Sequence, residues 1–286
     1  MVHPPEVAHL LIESKSGGYR GSGQMKAIIL CGGKGTRLRE ETEYRPKPMV
    51  EIGGRPILWH IMKGYAHYGL NDFVLCLGYR GEVIKDYFLN YQAMSKDFTI
   101  NLGFRKGMLF HGNHDEEDWN VTLADTGLET LTAERIYRVR RYIGNEPFMV
   151  TYGDGVADID VESLLNFHRS QGRLATLTAV REASRFGVIQ TNGNGRVIGF
   201  KEKPQVQERI NAGFFVFEPG VFDYLENQDC MLEHVLPVLA EAGELSIYSH
   251  NGFWHCMDTY RDFLRLNELW DGGQAQWKTW DACAPV

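Results

Sequence analysis

Ala27-Ile28-Ile29-Leu30-Cys31-Gly32-Gly33-Lys34-Gly35-Thr36-Arg37-Leu38 is the stretch whose reading decides the fold. Five apolar residues run straight into two glycines, the pattern of a buried strand that feeds a loop. Gly32, Gly33 and Gly35 let the backbone turn tightly and come close to a ligand, with N–H groups free for phosphate oxygens. Lys34, Arg37 and Arg39 add positive charge, and no acid lies among residues 34–39. The spacing is neither G-x-x-x-x-G-K-[ST] nor G-x-G-x-x-G, which excludes the P-loop and the dinucleotide fingerprint. Taken alone, the segment also reads as a flexible glycine turn with solvated charges.

Outward from it, strand and helix patterns alternate. Pro56 to Tyr68 carries Ile57, Leu58, Ile61, Met62 and Tyr65 at helical spacing, with proline at the entrance. Phe73 to Leu77 reads as a second buried strand, and Glu82 to Tyr91 and Glu134 to Ile143 as helices. Phe148 to Tyr152 is a strand that stops at Gly153-Asp154-Gly155, and Val161 to Arg169 is helical. Ala175 to Val180, Phe186 to Gln190, Val197 to Phe200 and Phe214 to Phe217 read as strands, with Asn192-Gly193-Asn194-Gly195 as a hairpin turn. Leu232 to Ala242 and Tyr260 to Leu269 complete the helices. The alternation predicts an α/β fold: a Rossmann-like, mixed, mostly parallel sheet flanked by helices. Residues 1–24, with His3-Pro4-Pro5, Ser16-Gly17-Gly18 and Gly21-Ser22-Gly23, read as a disordered leader or extension, and residues 25–286 as a single domain.

Of 286 residues, 43% are hydrophobic and 23% charged, a globular balance rather than a disordered one. The net charge of −7 gives no general attraction for nucleic acid or anionic lipid, so neither partner is expected. A polyanionic ligand would need a local basic cluster, which residues 34–39 supply. The five cysteines are widely spaced with no C-x-x-C pair, which fits a reducing, cytoplasmic setting. No apolar run approaches the ~20 residues of a membrane span.

A second element is Arg45-Pro46-Lys47-Pro48-Met49. Prolines on both sides hold the backbone near Lys47 extended, so its ammonium can be delivered to a fixed point. A surface proline turn has the same pattern. Asp154 stands where a strand ends, at the carboxyl edge at which α/β sheets bind ligands. Asp258 stands at a helix entrance, where by itself it reads as a helix cap.

Gly32-Gly33-Lys34-Gly35-Thr36-Arg37-Leu38, Pro46-Lys47-Pro48 and Gly53-Gly54-Arg55-Pro56 together resemble the signature of the sugar-1-phosphate nucleotidyltransferases. Further blocks are similar to the glucose-1-phosphate cytidylyltransferases within that family. These are Leu77-Gly78-Tyr79, Trp119 to Leu123, Thr151 to Val156, Gly252-Phe253-Trp254, Met257-Asp258-Thr259 and Trp277 to Trp280. The resemblance runs from Met25 to about Asp281. It implies the nucleotide-diphospho-sugar transferase fold, CTP and α-D-glucose 1-phosphate as substrates, CDP-glucose and pyrophosphate as products, Mg²⁺ as cofactor, and a homo-oligomer.

The resemblance also assigns roles. Leu30, Cys31, Gly32, Gly33, Lys34, Gly35, Thr36 and Arg37 would cradle the nucleotide, with Lys47, Thr130, Arg135 and Gly153. Arg37, Lys47 and Asp154 would be catalytic, and Asp154 and Asp258 would hold the metal. Glu202, Lys203 and Asn211 would meet the sugar phosphate. Thr132-Ala133-Glu134-Arg135 carries Ala-Glu where the family commonly has two glycines, and Ala212 stands where glycine is frequent. These departures leave open another NTP, or another sugar or cyclitol 1-phosphate. A non-catalytic subunit that senses sugar nucleotides is the reading from a different class. The acid-rich run His111 to Asp118 reads as a solvated loop, and the Trp277–Trp280 tail as packed against the body or a neighbouring subunit.

Overall fold

The computed structural model describes residues 25–103, 107–112, 118–182, 186–202, 208–226 and 229–281. The proposed leader, Lys203 and most of the His111–Asp118 run lie outside the described residues. The opening motif supplies β1 (Lys26–Leu30), followed in chain order by β2 (Asp72–Leu77), β3 (Asn120–Asp125) and β4 (Phe148–Tyr152). After these come β5 (Ala175–Val180), β6 (Ile210–Phe217) and β7 (Leu245–Ser249). They form one seven-stranded sheet in the order β7-β5-β6-β4-β1-β2-β3. Every neighbouring pair is parallel except the two that involve β6, which runs against both β4 and β5. The mixed, mostly parallel sheet agrees with the reading of the sequence.

Because side chains alternate along a strand, β1 feeds two cores. Ala27 and Ile29 join one face with α1 (Ile57–His67), α4 (Val161–Gln171) and α6 (Tyr260–Asp271). Ile28 and Leu30 join the other, with α3 (Thr132–Arg138) and α5 (Leu232–Glu241). The sheet is thus covered on both sides, as a parallel sheet requires. No described helix is long and apolar enough to cross a membrane.

The departures from expectation have local causes. The helix predicted to Tyr91 is α2 (Gly81–Leu89), which ends at Asn90, where the Asp86 carbonyl accepts both from Asn90 N and from its side-chain amide at 3.0 Å, before a separate short helix at Tyr91–Ser95. The segment expected as one helix from Glu134 to Ile143 is α3 followed by a separate 3-10 turn at Arg140–Tyr142. β6 begins four residues before the predicted Phe214: Gly213 adopts φ +77° beside a register shift in the pairing with β5, so the strand passes through an irregularity that reads as a break. The hairpin at Asn192 forms between Val188–Thr191 and Val197–Lys201; the first strand starts two residues and ends one residue later than predicted, and the second starts at Val197 as predicted and runs one residue further.

After α6 the chain folds back over the first core. Trp277 is 1% exposed, lies edge-on to His60, and donates from Nε1 to His60 Nδ1 at 3.4 Å, while Trp280 meets Trp59 edge-on. The aromatic tail therefore packs against the body of the chain. Trp277→Ala is expected to destabilise the protein by about 3–5 kcal/mol, since it leaves a void that the surrounding rings fill only in part. Urea unfolding of the two proteins reads this directly.

Candidate active site

β1 and β4 lie side by side in parallel, and the next strand of the sheet after β1 is added toward the β3 edge while the next after β4 is added toward the β7 edge, the reversal at which such sheets open a crevice at their carboxyl ends. Gly153 N donates to Leu30 O at 3.1 Å and so locks the two strand ends together. A Cβ on Gly153 would lie 2.8 Å from Pro48 Cγ and 2.9 Å from Leu30 O, so this close approach admits only glycine. Asp154 is delivered into the crevice immediately afterwards.

Lys47 arrives from the proline segment. Pro46 is extended (φ −71°, ψ 153°), and a single 3-10 turn at Lys47–Met49 buries the lysine to 8% exposure. Its ammonium donates to Asp154 Oδ2 and to Asp258 Oδ1, each at 2.6 Å. Arg37 Nη1 donates to the other oxygen of Asp258 at 2.8 Å. Burial alone would pull the Lys47 ammonium down, but the Asp154 charge and the two carboxylate hydrogen bonds carry it above the ordinary lysine value. Burial likewise works to raise Asp258, and Lys47 and Arg37 overcome it and hold that carboxyl below its ordinary range.

Asp258 is brought to Asp154 by a short ribbon. Trp254–Cys256 pairs antiparallel with Gly155–Ala157, and Met257 N donates to Asp154 O at 2.8 Å. The cap of α6 is Thr259 rather than Asp258, so the Asp258 side chain is left for the cations. Asp154, Cys256 and Asp258 bring ligand atoms within 4.8 Å of one another. Burial, then Asp154, push the Cys256 thiol upward, which leaves the two carboxylates as the hard donors of the group.

The glycine segment is supported from beneath by Arg135, which is 4% exposed. Its guanidinium donates to the carbonyls of Leu77, Gly127, Leu128 and Gly32 at 2.8–3.3 Å and to Thr126 Oγ1 at 2.7 Å. A Cβ on Gly32 would sit 2.2 Å from this guanidinium. Gly35 takes the left-handed conformation (φ +61°), and its carbonyl accepts from Leu38 N and Thr42 Oγ1.

Two cavities meet at the carboxylate pair. One, about 440 Å³, is bounded by the glycine segment, Lys47, Thr130 to Thr132 and Arg135. The other, wider, is bounded by β6 around Asn211, by Arg181, and by the start of α6. Arg37, Tyr152, Asp154, Glu233, Cys256 and Asp258 line both.

The structure thus gathers Leu30, Cys31, Gly32, Gly33, Gly35, Thr36, Arg37, Lys47, Thr130, Arg135 and Gly153 around the first cavity. It places Lys34 elsewhere: its exposed ammonium binds Glu129 at 2.7 and 2.9 Å, off the cavity lining. Asn211 lines the second cavity, where its Oδ1 accepts from Gly213 N at 2.7 Å. Glu202 is exposed and off that lining, beside Gly187, and Lys203 lies outside the described residues. Sequence reasoning passed over Tyr152–Glu233, a 2.5 Å hydrogen bond between β4 and α5, and the Thr259–Asp262 cap. The second pair carries a readable signal, the capping-box spacing [ST]-x-x-[DE].

A Gly-rich turn and cationic groups at one side, two carboxylates at the seam and a second chamber opposite define a site for joining two phosphate-bearing molecules. A family model described as nucleotidyl transferase matches residues 26–271, and the chain belongs to that family. A glucose-1-phosphate cytidylyltransferase of Salmonella typhimurium is 48% identical over 260 residues, which cover 90% of this chain and 100% of that protein. A probable glucose-1-phosphate cytidylyltransferase of Bacillus subtilis is 46% identical over 258 residues, with 90% and 100% covered. A solved structure of a putative glucose-1-phosphate thymidylyltransferase from Bacillus anthracis shares the fold, with TM-score 0.62 and 19% identity over 88% of this chain and 98% of that one.

The depressed Asp258 carboxyl contributes stability that is present above its unfolded-state value of about 4 and is lost as pH falls through its lower folded value. Asp258→Asn should therefore unfold at lower urea than the parent at pH 7, and the gap should close as pH drops below about 4. Urea midpoints across that range measure it.

Proposed function

We propose that this chain transfers a cytidylyl group from CTP to α-D-glucose 1-phosphate, with release of pyrophosphate and formation of CDP-glucose. The observation that carries the reading is the Lys47 ammonium shared by Asp154 and Asp258 at the seam of two cavities, one floored by a glycine turn. The identity to curated cytidylyltransferases over their whole length supports CTP and glucose 1-phosphate as the pair.

The nucleotide takes the glycine-lined cavity. Backbone N–H groups of Gly32, Gly33 and Gly35 face its phosphates, and Arg37 takes the β- and γ-phosphates. Thr130 and Arg135 border the base end, and Gly153 permits close approach at the α-phosphate. The sugar phosphate takes the second cavity beside Asn211, and the resemblance assigns Glu202 and Lys203 to the same ligand. Its phosphate oxygen attacks the α-phosphorus and pyrophosphate departs on the opposite side. No protein nucleophile is needed, because the acceptor brings its own. The chain contributes position and charge: two anions that repel each other in water are held together by Arg37 and Lys47.

The donor set suits a hard divalent ion, Mg²⁺, with Asp154 and Asp258 as its protein ligands. Such an ion, when bound, supplies neutralisation of charge on the α-phosphate and the departing pyrophosphate.

Pyrophosphate release from a matrix of NTPs and sugar 1-phosphates tests the reading. CTP with glucose 1-phosphate should give the highest kcat/KM; release from no pair at all would overturn the reaction class, and a better pair would correct the substrates. Lys47→Met should lower kcat by about 10²–10³-fold, the usual cost of one donor aimed at developing charge. Asp154→Asn should abolish turnover while CTP binding, followed by calorimetry, survives in part.

A further inference from the structure

Asp262 does not belong to the group of ligand atoms around Asp154, yet it is built into the segment that carries Asp258. Its Oδ2 accepts from three donors: Asp258 N at 3.1 Å, Thr259 N at 2.8 Å and Thr259 Oγ1 at 2.8 Å. Thr259 Oγ1 in turn accepts from Asp262 N at 3.4 Å, closing a reciprocal cap on α6. The other carboxylate oxygen lies 3.4 Å from His255 Nε2. His255 belongs to the ribbon strand paired with Gly155–Ala157, directly after Asp154. One side chain therefore touches both the backbone that presents Asp258 and the ribbon that ties it to Asp154.

A cap on the first turn of a helix ordinarily stabilises that helix and nothing more. Here the capped peptide groups include the amide of Asp258 itself. Rotation of that peptide would swing the carboxylate away from Lys47 and Asp154, since only a Cα–Cβ bond separates the side chain from the clamped backbone.

We propose that Asp262 is a positioning residue of the transfer reaction, which fixes the Asp258 carboxylate against Asp154 through the Asp258 and Thr259 amides and so sets the spacing of the pair that receives the divalent ion. The inference rests on the reading of Asp154 and Asp258 as ion ligands.

The test is binding of Mn²⁺, followed by its electron paramagnetic resonance signal, which needs no turnover. Asp262→Ala should weaken Mn²⁺ about tenfold to a hundredfold, the scale seen when a group that orients a ligand is removed. Its kcat should fall while the KM for CTP stays within about twofold. Asp262→Asn keeps an acceptor oxygen for the same amides and should restore most of the affinity. Asp160→Ala is the control, because Asp160 caps α4 by accepting from Ser163 N at 3.0 Å, and α4 contributes nothing to either cavity lining. It should lower the urea midpoint and leave Mn²⁺ affinity unchanged. If Asp262→Ala binds Mn²⁺ as tightly as the parent, or if both cap variants weaken it equally, the positioning role is overturned while the ligand reading stands. If Asp154→Asn binds Mn²⁺ as tightly as the parent, the ligand reading itself falls, and this inference with it. Should Asp262→Ala fail to fold, Asp262→Ser, whose shorter side chain reaches fewer of the amides, carries the same comparison.

Discussion

The arrangement depends on one ammonium group held between two carboxylates. Lys47 is 107 residues from Asp154 and 211 from Asp258, and each of its two bonds is 2.6 Å long. Two carboxylates this close repel, and a buried lysine without partners would lose its proton. Each charge is tolerable only because the others are present, so proline segment, strand end and helix entrance must all be in place for any of them to be. The three segments meet because the sheet brings the ends of β1 and β4 together and a three-residue ribbon carries the start of α6 to the same edge.

That mutual dependence explains where the glycines are needed. At Gly153 the limit is space, because Pro48 and Leu30 already occupy the positions that a side chain would take. At Gly32 the limit is the Arg135 guanidinium directly behind the backbone. In both places the backbone approaches a neighbour so closely that the missing Cβ, rather than flexibility, is the property used.

Much of this was legible in the chain. β1 and β4 announced themselves as apolar runs that stop at glycine, because a strand buried on both faces needs no polar alternation. The proline pattern points to Lys47 as a residue delivered to a fixed point, but only Pro46 is extended; Lys47, expected extended before Pro48, enters a 3-10 turn instead. β3 and β7 were not legible: they are the outermost strands, and Asn120–Asp125 and Leu245–Ser249 mix polar residues into short runs. The Trp254–Cys256 ribbon is defined only by a partner about a hundred residues earlier, which no local pattern reveals. Asp258 looked like a cap as much as a ligand; the structure separates the roles by giving the cap to Thr259. Lys34 was grouped with Arg37 by proximity in sequence, but a turn at Gly35 sends its side chain to Glu129 instead.

Arg135 spends its guanidinium on the Gly32 carbonyl of the glycine segment and on three carbonyls and a hydroxyl beneath it. Gly32 O also accepts from Tyr79 N at 3.2 Å, so the same carbonyl is gripped from two sides. A glycine-rich loop left to itself would have to be ordered by its ligand, and the lost chain entropy would be subtracted from affinity. Here the stem of the loop is already immobilised at Gly32 by the fold. Binding at this end of the cavity thus resembles docking onto a rigid mould, and the conformational cost is confined to the few residues beyond the grip.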